Sequence, residues 1–315
     1  MRALVTGGGG FIGSNLVDAL LERGHEVTIV DNFSTGREVN VEQAIANGAD
    51  LRRADILEPL ELEDAFAVAK PEVVFHLAAQ IDVRKSLAHP AADARTNVEG
   101  TINVLSAARD AGSQRVVNIS TGGAIYGTTD LIPTPETVEA LPEAPYGQSK
   151  YCAERYCGLF SRLFSLPTVT LRLGNVYGPR QDPLGEAGVI AIFCGKLQTG
   201  ERPTVYGTGE QTRDYVFVGD VVGAALAALD HPEAGREINV ATGRESSVLD
   251  LLAALREFAG GDFEPELAPP RPGEIDRSCL DVSRARELLG WSAKVDLADG
   301  LRRTVDWARS AAASA

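Results

Sequence analysis

Two residues spaced four apart carry the side chains needed for acid–base chemistry at a hydroxyl group. Tyr146 and Lys150 form a Tyr-x-x-x-Lys pattern, and residues at i and i+4 share one face of a helix. A protonated lysine beside a phenol favours the phenolate, so we expect Lys150 to lower the pKa of Tyr146. A phenol tuned toward neutral pH is a good general base. The same spacing also occurs in surface pairs, so the interpretation depends on the rest of the chain.

Three glycines near the start of the chain could hold a pyrophosphate. Gly7, Gly10 and Gly13 follow the apolar run Arg2–Thr6 and open a segment with helical periodicity. Glycines let the backbone approach a phosphate closely, and a helix N-terminus supplies amides and positive potential. Asp31 ends the next predicted strand, where a carboxylate can accept both ribose hydroxyls of an adenosine. This acid would repel a 2′-phosphate, so the pattern favours NAD over NADP.

Two further positions leave details of this nucleotide site open. Arg37 lies close to Asp31 in the sequence, and a cation there could accept the 2′-phosphate of NADP. Asp55 and Ile56 follow a third apolar segment. Asp55 could contact the adenine, or it could cap a helix predicted at residues 57–67.

The elements that must position these residues alternate between strand and helix. Short β-branched runs are separated by segments with helical periodicity, which predicts βαβ units and a parallel sheet. Gly24 follows the first predicted helix, where a left-handed glycine would end it. We expect strands at residues 2–6, 26–30, 73–77, 115–119 and 168–173, and a helix at 97–110.

The second half of the chain is richer in Pro and Gly, which predicts long loops between helices. The fold class is therefore α/β, with a doubly wound parallel (Rossmann) sheet and a smaller mixed α/β domain. We predict an NAD-binding domain at residues 1–171, with 214–242 returning to it, and a substrate-binding domain at 172–213 and 243–315. The active site is expected in the cleft between them, at the carboxyl ends of the strands.

Composition excludes several other functions. The chain has 315 residues and a formal net charge of −14, so it cannot bind nucleic acid through a general basic surface. The cysteines and histidines show no metal-ligand spacing, so no metal is expected. Without a signal peptide or a long apolar run, we expect a cytoplasmic protein that does not enter a membrane. His76 ends a buried strand and is expected to pack against the cofactor rather than titrate.

Together these motifs resemble those of the extended short-chain dehydrogenase/reductase family, and within it the bacterial UDP-glucose 4-epimerases. The resemblance covers nearly the whole chain. Its N-terminal marks are TGGGGFIG at residues 6–13, Asp31-Asn32, Asp55-Ile56, HLAA at 76–79, NVEGT at 97–101 and YGQSK at 146–150. Its C-terminal marks are NVYGPR at 175–180, GTGEQTRDYV at 207–216 and RPGE at 271–274.

The resemblance implies inversion at C4 of a UDP-hexose: UDP-glucose and UDP-galactose, and also UDP-N-acetylglucosamine and UDP-N-acetylgalactosamine. Tyr146 would remove the O4 proton while the C4 hydride passes to NAD⁺. The 4-keto sugar would then turn and take the hydride back on its other face. NAD would stay bound, and Lys150 would also hold the nicotinamide ribose. A homodimer through helices at residues 97–110 and 146–164 is implied as well.

Binding residues are also carried over from the resemblance. Beyond those already named, NAD would contact Phe11, Ile12, Asn32, Ser34, Thr35, Gly36, Leu77, Ala78, Ala79, Asn97 and Ile119. The UDP-sugar would contact Lys85, Thr121, Gly122, Gly123, Asn175, Gly188, Val189, Tyr206, Arg213, Arg271, Glu274 and Ser278. Arg213 and Arg271 would hold phosphate oxygens, or could pair with neighbouring acids such as Asp214. Ser278 is small where relatives restricted to small hexoses carry a bulky tyrosine, which leaves space for an N-acetyl group.

One position departs from the family pattern. Members usually have Ser or Thr four residues before the Tyr-Gly of this motif, where its hydroxyl bonds O4, but counting back from Tyr126 reaches Gly122. Thr121 is the candidate substitute if the loop shifts by one residue. Alternatively a water replaces the hydroxyl, or Ser120 and Thr121 only cap the strand end. The two adjacent glycines would give the sugar extra room.

Three other activities are compatible with parts of the pattern. A UDP-glucuronate 4-epimerase needs a cation near C6; the loop at 181–186 carries acids instead, although the cation could come from Arg84, Lys85 or Arg180. A nucleotide-sugar 4,6-dehydratase needs an acid–base pair just before Tyr126, where Gly123 and Ala124 stand. A non-catalytic NAD-binding protein would typically lack the tyrosine or the lysine.

Overall fold

The computed structural model describes residues 1–183, 188–230, 235–258, 263–270 and 275–313. The strands are β1 (Arg2–Thr6), β2 (Glu26–Asp31), β3 (Asp50–Arg53), β4 (Val73–His76), β5 (Arg115–Thr121), β6 (Thr168–Leu173), β7 (Asn175–Tyr177), β8 (Thr204–Tyr206), β9 (Thr212–Arg213), β10 (Tyr215–Phe217), β11 (Arg236–Val240), β12 (Ser246–Ser247) and β13 (Glu266–Ala268). The helices are α1 (Phe11–Glu22), α2 (Glu42–Ala46), α3 (Pro59–Ala69), α4 (Val83–Ala88), α5 (Pro90–Ala94), α6 (Gly100–Asp110), α7 (Gly122–Ile125), α8 (Pro145–Phe164), α9 (Val189–Thr199), α10 (Val218–Ala227), α11 (Val248–Arg256), α12 (Ser283–Leu289) and α13 (Leu297–Ala313).

Seven parallel strands form the central sheet, in the order β11, β6, β5, β4, β1, β2, β3. The chain starts in β1, moves outward through β2 and β3, and then returns to the other side of β1 with β4. This arrangement confirms the doubly wound α/β fold predicted from the sequence. The change of direction between β1 and β4 opens a crevice at the carboxyl ends of the strands, where such folds bind ligands.

The strands are almost wholly apolar because helices cover both faces of the sheet. Successive side chains of β1 show this: Leu4 packs with Leu105 of α6 on one face, and Val5 packs with Leu16 of α1 on the other. Both residues of β1 are fully buried. Side chains of β1 therefore fix the helix that begins directly after the glycines.

Two predicted helices can be compared with the structure at their ends. Gly24 has φ +74° just after α1, so the predicted left-handed glycine is confirmed. The helix predicted at 97–110 is helical throughout but starts earlier, because α5, the π turn Arg95–Glu99 and α6 follow one another without a break. The π turn accommodates an extra residue and turns the Asn97 side chain toward the loop after β4, where it bonds Gln80.

A buried ion pair fixes the long helix α8 on the sheet. Arg172 of β6 and Glu154 of α8 are 4% and 1% exposed, and Arg172 Nη2 lies 2.7 Å from Glu154 Oε2. Arg172 Nη1 donates to the Tyr126 hydroxyl, which in turn donates to Asn239 of β11. Arg172 Nε and Nη2 thus bind both carboxylate oxygens of Glu154, and Nη1 is bound by Tyr126. A buried charge pair needs such additional hydrogen bonds to offset its loss of hydration. The pair lies one turn beyond Lys150 and restrains the helix that carries it.

A smaller assembly covers the open end of the sheet. Strands β7, β8 and β10 pack with α9, α11 and α13 around a separate apolar core. Strand β13 pairs with β8, and β9 pairs with β12. Strand β6 continues to Leu173, two residues past the boundary predicted at 171, and β11 returns to the central sheet as its edge strand. In the described part of the chain, no helix is both long and apolar enough to span a bilayer.

Candidate active site

One cavity of about 1450 Å³ opens at the carboxyl ends of the central strands. Its wall is formed by residues that follow β1, β2 and β4, by the ends of β5 and β6, and by β8 and α9. A pocket for one small ligand measures about 300–1,000 Å³, so this cavity has room for more than one. It occupies the place where the doubly wound fold predicts a ligand.

Most of the sequence-predicted site residues line this cavity. They are Gly7, Gly10, Phe11, Ile12, Gly13, Asp31, Asn32, Ser34, Thr35, Gly36, Asp55, Ile56, Leu77, Ala78, Ala79, Lys85, Ile119, Thr121, Tyr146, Lys150, Asn175, Gly188, Val189, Tyr206 and Arg213. Four others are not part of its wall: Asn97, Gly122, Gly123 and Ser278. Arg271 and Glu274 lie outside the described residues.

The glycines form a cradle that a side chain would fill. Gly7 has φ +71°, and a Cβ there would lie 2.7 Å from the Ala78 nitrogen. A Cβ on Gly13 would collide with the carbonyl oxygen of Gly7. Helix α1 begins in this loop with Gly10 as its N-cap and no side chain in the capping position. The first amides of α1 are therefore available to an anion.

Asp31 anchors the loop beside this cradle. Its Oδ2 accepts the Gly9 amide and its Oδ1 accepts the Phe33 amide, both at 2.8 Å. The side chain is buried, and burial raises the pKa of Asp31 although both amide bonds oppose that shift. Each carboxylate oxygen keeps a lone pair, so two hydroxyl groups can still donate to it.

Asp55 and Asn32 form the next part of the wall. Asn32 Nδ2 donates to Asp55 Oδ2 at 2.8 Å, and Asp55 Oδ1 accepts the Leu57 amide. Helix α3 begins at Pro59 with Glu58 as its N-cap. The alternative that Asp55 caps this helix is therefore wrong, because the helix starts later than predicted and the acid forms a turn before it.

Tyr146 and Lys150 lie one turn apart on α8 and both face the cavity. The expected lowering of the Tyr146 pKa by Lys150 is wrong for the ligand-free chain. Burial and the negative charge of Asp93 raise the pKa of Tyr146 to about 12, opposed by a hydrogen bond with the Thr121 side chain. Burial also lowers the pKa of Lys150 to about 8. The phenol therefore needs a further positive charge in the cavity before it can act as a base near neutral pH.

Replacing Lys150 by an uncharged residue is expected to increase the free energy of unfolding of the ligand-free chain. The folded chain releases its proton near pH 8, against 10.5 for the ordinary side chain. At pH 7 this shift corresponds to a destabilisation of about 3 kcal/mol, so Lys150→Met should raise the free energy of unfolding by up to that amount. Between pH 8 and 10.5 the unfolded chain binds more protons, so the parent protein gains stability and the difference shrinks. Urea unfolding of the ligand-free proteins at about pH 7 and about pH 10 measures this; a variant less stable than the parent would contradict it.

His76 links the glycine loop to α6 in a neutral form. Its Nδ1 lies 2.8 Å from Thr6 Oγ1 and its Nε2 lies 2.9 Å from Thr101 Oγ1. Thr101 donates its own proton to the Asn97 carbonyl, so it accepts from Nε2–H, and Nδ1 accepts from Thr6. Burial lowers the pKa of His76 to about 3. The histidine therefore does not titrate near neutral pH, as the sequence predicted, but it is not in the wall of the cavity, where it was expected to pack against the cofactor.

The two glycines before Tyr126, Gly122 and Gly123, have different surroundings. A Cβ on Gly122 would collide with the side chain of Leu280, whereas one on Gly123 would lie 3.7 Å from Asn175 Oδ1. The prediction that both glycines give the sugar extra room is therefore wrong for Gly122, which is packed against Leu280. A serine or threonine cannot occupy that position unless Leu280 moves. The nearby Thr121 side chain forms a hydrogen bond with Tyr146.

The far end of the cavity has a second anion-binding geometry. Gly188 is the N-cap of α9, an 11-residue helix whose N-terminus opens on the cavity next to Val189. Arg213 lies on β9 in the same wall. The neighbouring Asp214 uses its carboxylate on the backbone, accepting amides of Thr242 and Gly243. Asp214 therefore braces the loop that carries Arg213.

Sequence reasoning missed a polar cluster behind the catalytic helix. Asp93 of α5 accepts hydrogen bonds from Gln80, Asn97 and Ser149. Asn97 was expected to touch the cofactor but is buried in this cluster. The available signal was Ser149 between Tyr146 and Lys150, since a polar residue on the buried side of a helix needs a partner. Among the described residues, no group of three or more metal-ligating side chains is present.

Comparison with known proteins agrees with this geometry. The sequence profile of the NAD dependent epimerase/dehydratase family matches residues 3–241. The UDP-glucose 4-epimerase of Mycolicibacterium smegmatis is 46% identical over 311 residues, covering 98% of this chain and 99% of that protein. The structure of a UDP-glucose 4-epimerase from Thermotoga maritima with UDP-glucose is 44% identical, with a TM-score of 0.95 and coverage of 99% and 100%. The Thermus thermophilus UDP-glucose 4-epimerase in complex with NAD is 42% identical, with a TM-score of 0.91 and coverage of 99% and 100%.

Proposed function

The chain belongs to the NAD dependent epimerase/dehydratase family, and on that premise we propose that it is an NAD-dependent 4-epimerase that interconverts UDP-glucose and UDP-galactose. The proposal rests on three features that line a single cavity. These are the glycine cradle with Asp31 beside it, the Tyr146–Lys150 pair, and the N-terminus of α9. A dinucleotide and a sugar diphosphate each find a phosphate site there, with the acid–base pair in the same wall.

The residues around the first site fit NAD. Side chains at Gly7 or Gly13 would fill the space that the pyrophosphate needs, and the first amides of α1 point to it. Asp31 can accept the two adenosine ribose hydroxyls and would repel a 2′-phosphate. Lys150 would hold the nicotinamide ribose. When bound, NAD⁺ supplies a reversible oxidation of the sugar carbon, and its positive charge lowers the pKa of the nearby phenol.

The second site fits the uridine diphosphate of the substrate. The amides at Gly188 and Val189 and the guanidinium of Arg213 would bind the phosphates, with Asn175 and Tyr206 against the rest of the nucleotide. Lys85, which also lines the cavity, would contact the sugar. Local cations and amides explain how a chain of net charge −14 can hold an anionic substrate.

Tyr146 and Thr121 would act together at the sugar O4. Tyr146 removes and returns the O4 proton, and Thr121 donates to O4 or to the phenolate. Thr121→Val keeps the shape and removes the hydroxyl, so kcat should fall about 10–100-fold, the value of one hydrogen bond to a charged group. The lower limb of the pH profile should also move to higher pH, because the Thr121 bond lowers the Tyr146 pKa. Thr121→Ser should recover most of the activity; equal losses in both variants would show that packing, not the hydroxyl, is what matters.

A 4,6-dehydratase is disfavoured by the loop before Tyr126. Elimination at C6 needs a proton donor and acceptor there, and the chain has Gly123 and Ala124. The choice of sugar is tested by incubating the purified protein separately with UDP-galactose, UDP-N-acetylgalactosamine and UDP-galacturonate and following the anomeric protons by NMR. We expect the fastest inversion with UDP-galactose. If only UDP-galacturonate reacts, the UDP-glucuronate alternative is correct; if no sugar reacts, the proposed function fails.

We also propose that two copies associate through α6 and α8. Helix α8 exposes Tyr156, Leu163 and Phe164, of which Leu163 is 64% exposed, and an apolar stripe of this kind favours helix–helix contact. Sedimentation equilibrium should give twice the chain mass. A Leu163→Glu variant should shift the equilibrium toward the monomer, and a parent protein that is monomeric at all concentrations would overturn the dimer.

A further inference from the structure

Asp93 is a buried carboxylate in α5 with no ion pair among the described residues. Its exposure is 1%, as low as that of fully buried core side chains. A buried charge that lacks a cation in contact is expensive unless hydrogen bonds and more distant charges compensate it. Asp93 is also not in the wall of the cavity. Its presence therefore needs an explanation beyond direct binding of a ligand.

Three polar side chains surround this carboxylate. Asp93 Oδ1 accepts from Gln80 Nε2 at 2.7 Å and from Asn97 Nδ2 at 3.2 Å, and Oδ2 accepts from Ser149 Oγ at 2.6 Å. The Gln80 backbone amide also donates to Asn97 Oδ1, and Asn97 Nδ2 donates to the Gln80 carbonyl oxygen. The cluster thus joins the loop after β4, helix α5, the π turn and α8 at one point.

Ser149 connects this cluster to the two residues of the acid–base pair. It lies between Tyr146 and Lys150 on α8, and its hydroxyl is also 3.0 Å from the Tyr146 carbonyl oxygen. A short bond from Ser149 to Asp93 therefore fixes the rotation of the helix at the turn that carries both functional side chains. A rotation of α8 at this point would move the phenol and the ammonium together.

The charge of Asp93 acts on both members of the pair. It raises the pKa of Tyr146, and it raises the pKa of Lys150 against the larger effect of burial. The carboxylate therefore favours the neutral phenol, and it adds to the larger effects of Cys157 and Glu154 in favouring the protonated lysine. The positive nicotinamide ring of NAD⁺ would lower the pKa of Tyr146, and it does so only when the cofactor is bound.

We propose that Asp93 is a positioning residue of this epimerase, which fixes α8 through Ser149 and sets the electrostatic balance of Tyr146 and Lys150 from behind the helix. This inference rests on the proposed function, because it assigns a task within the same acid–base step. It adds a residue that touches neither substrate nor cofactor. Its effect is transmitted through one hydrogen bond and one charge.

Several other titratable groups face the pair and must be separated from Asp93. On the neighbouring elements and on α8 itself they are His76 of β4, Lys85 of α4, Glu154 and Cys157 of α8, and Arg172 of β6. His76 is neutral at the pH of the assay. Glu154 is paired with Arg172, but it still raises the pKa of Lys150 by more than Asp93 does, as does Cys157. Lys85 is positive and would act in the opposite direction to Asp93. Asp93 differs from these acids because its charge raises the pKa of both Tyr146 and Lys150, so its removal has a distinct signature.

Asp93→Asn keeps the shape and removes the charge. In the pH profile of kcat/KM for UDP-galactose, measured on the NAD-loaded enzyme, we expect the lower limb to move by about one pH unit toward acid and the upper limb to move in the same direction by less. The lower limb moves because the phenol ionises more easily, and the upper limb moves because the lysine loses its proton earlier. A generally damaged structure would lower the rate without this shift. A profile with unchanged midpoints would overturn the electrostatic part of the proposal.

The matched control is Glu99→Gln, which removes the same charge from the adjacent π turn. Glu99 is exposed and pairs with Arg95, so its removal should leave the profile in place. If Glu99→Gln shifts the profile as much as Asp93→Asn, the effect is that of general charge and the proposal fails. Parent enzyme that does not epimerise any UDP-sugar would instead overturn the proposed function, so the two failures are distinguishable.

Ser149→Ala tests the positioning part separately and keeps Asp93 in place. We expect kcat to fall about tenfold with KM little changed, and no movement of the profile toward acid, because the negative charge remains. This variant also keeps the proposal testable if Asp93→Asn does not fold. A Ser149→Ala enzyme with the parent kcat would show that the bond to Asp93 does not position the helix.

Discussion

Tyr146→Phe is expected to lower kcat for the interconversion of UDP-galactose and UDP-glucose by about 10³-fold or more. Phenylalanine fills the same space on α8 but has no proton to exchange with O4. The phenol of Tyr146 lines the cavity, forms a hydrogen bond with Thr121, and has Lys150 on the next turn of the same helix. Binding of NAD and of the UDP-sugar should persist, because neither phosphate site includes this ring. Steady-state rates and titration of UDP-sugar binding measure the two effects separately.

The control for this substitution is Tyr151→Phe, the same chemical change next to Lys150 on the same helix. Tyr151 is not in the wall of the cavity, so its rate should equal that of the parent. A Tyr146→Phe enzyme that retains activity within about tenfold of the parent would mean that another group moves the O4 proton. Equal losses in both variants would point to damage of α8.

Gly13→Ala should release the cofactor. The new Cβ would collide with the carbonyl oxygen of Gly7 and would lie 2.9 Å from Gly8 Cα. Both neighbours are backbone atoms of the cradle, so they cannot turn away as a side chain could, and the loop must open. The amides of α1 then lose their alignment with the pyrophosphate. We expect the purified variant to contain less than about a tenth of the NAD found in the parent, as measured by absorbance after denaturation.

Gly223→Ala is the matched control, since it adds the same methyl group to another helix. A Cβ at Gly223 in α10 would lie 3.6 Å from Trp291 Nε1, an ordinary contact distance. This variant should retain the parent's NAD content and thermal midpoint. A Gly13→Ala protein that purifies with a full complement of NAD would contradict the assignment of the cradle.

The parts of the site that could be predicted from sequence are those encoded locally. The cradle needs three glycines within a short stretch of chain between a strand and a helix, and Asp31 needs only to end the next strand. Both follow from spacing alone, because parallel strands bring their carboxyl ends to one edge. The alternation of strands and helices similarly predicted the doubly wound sheet, and the order of its strands confirms it.

The parts that could not be predicted depend on contacts between distant segments. Gly122 looked like free space for a sugar, but Leu280, which is far away in the sequence, packs against it. Lys150 was expected to activate Tyr146 directly, yet burial and Asp93 raise the pKa of Tyr146, and burial lowers the pKa of Lys150 in the ligand-free chain. Burial and neighbouring charges are properties of the assembled core, so a pattern of two residues cannot report them.

The most direct test is proton NMR of UDP-galactose incubated with the purified protein in D₂O, with no NAD added. A hydride that is transferred to a retained cofactor and returned never exchanges with solvent. The account therefore predicts that UDP-glucose forms catalytically and carries no deuterium at C4. Deuterium at C4 of the product, or a need for added NAD in proportion to product, would contradict it.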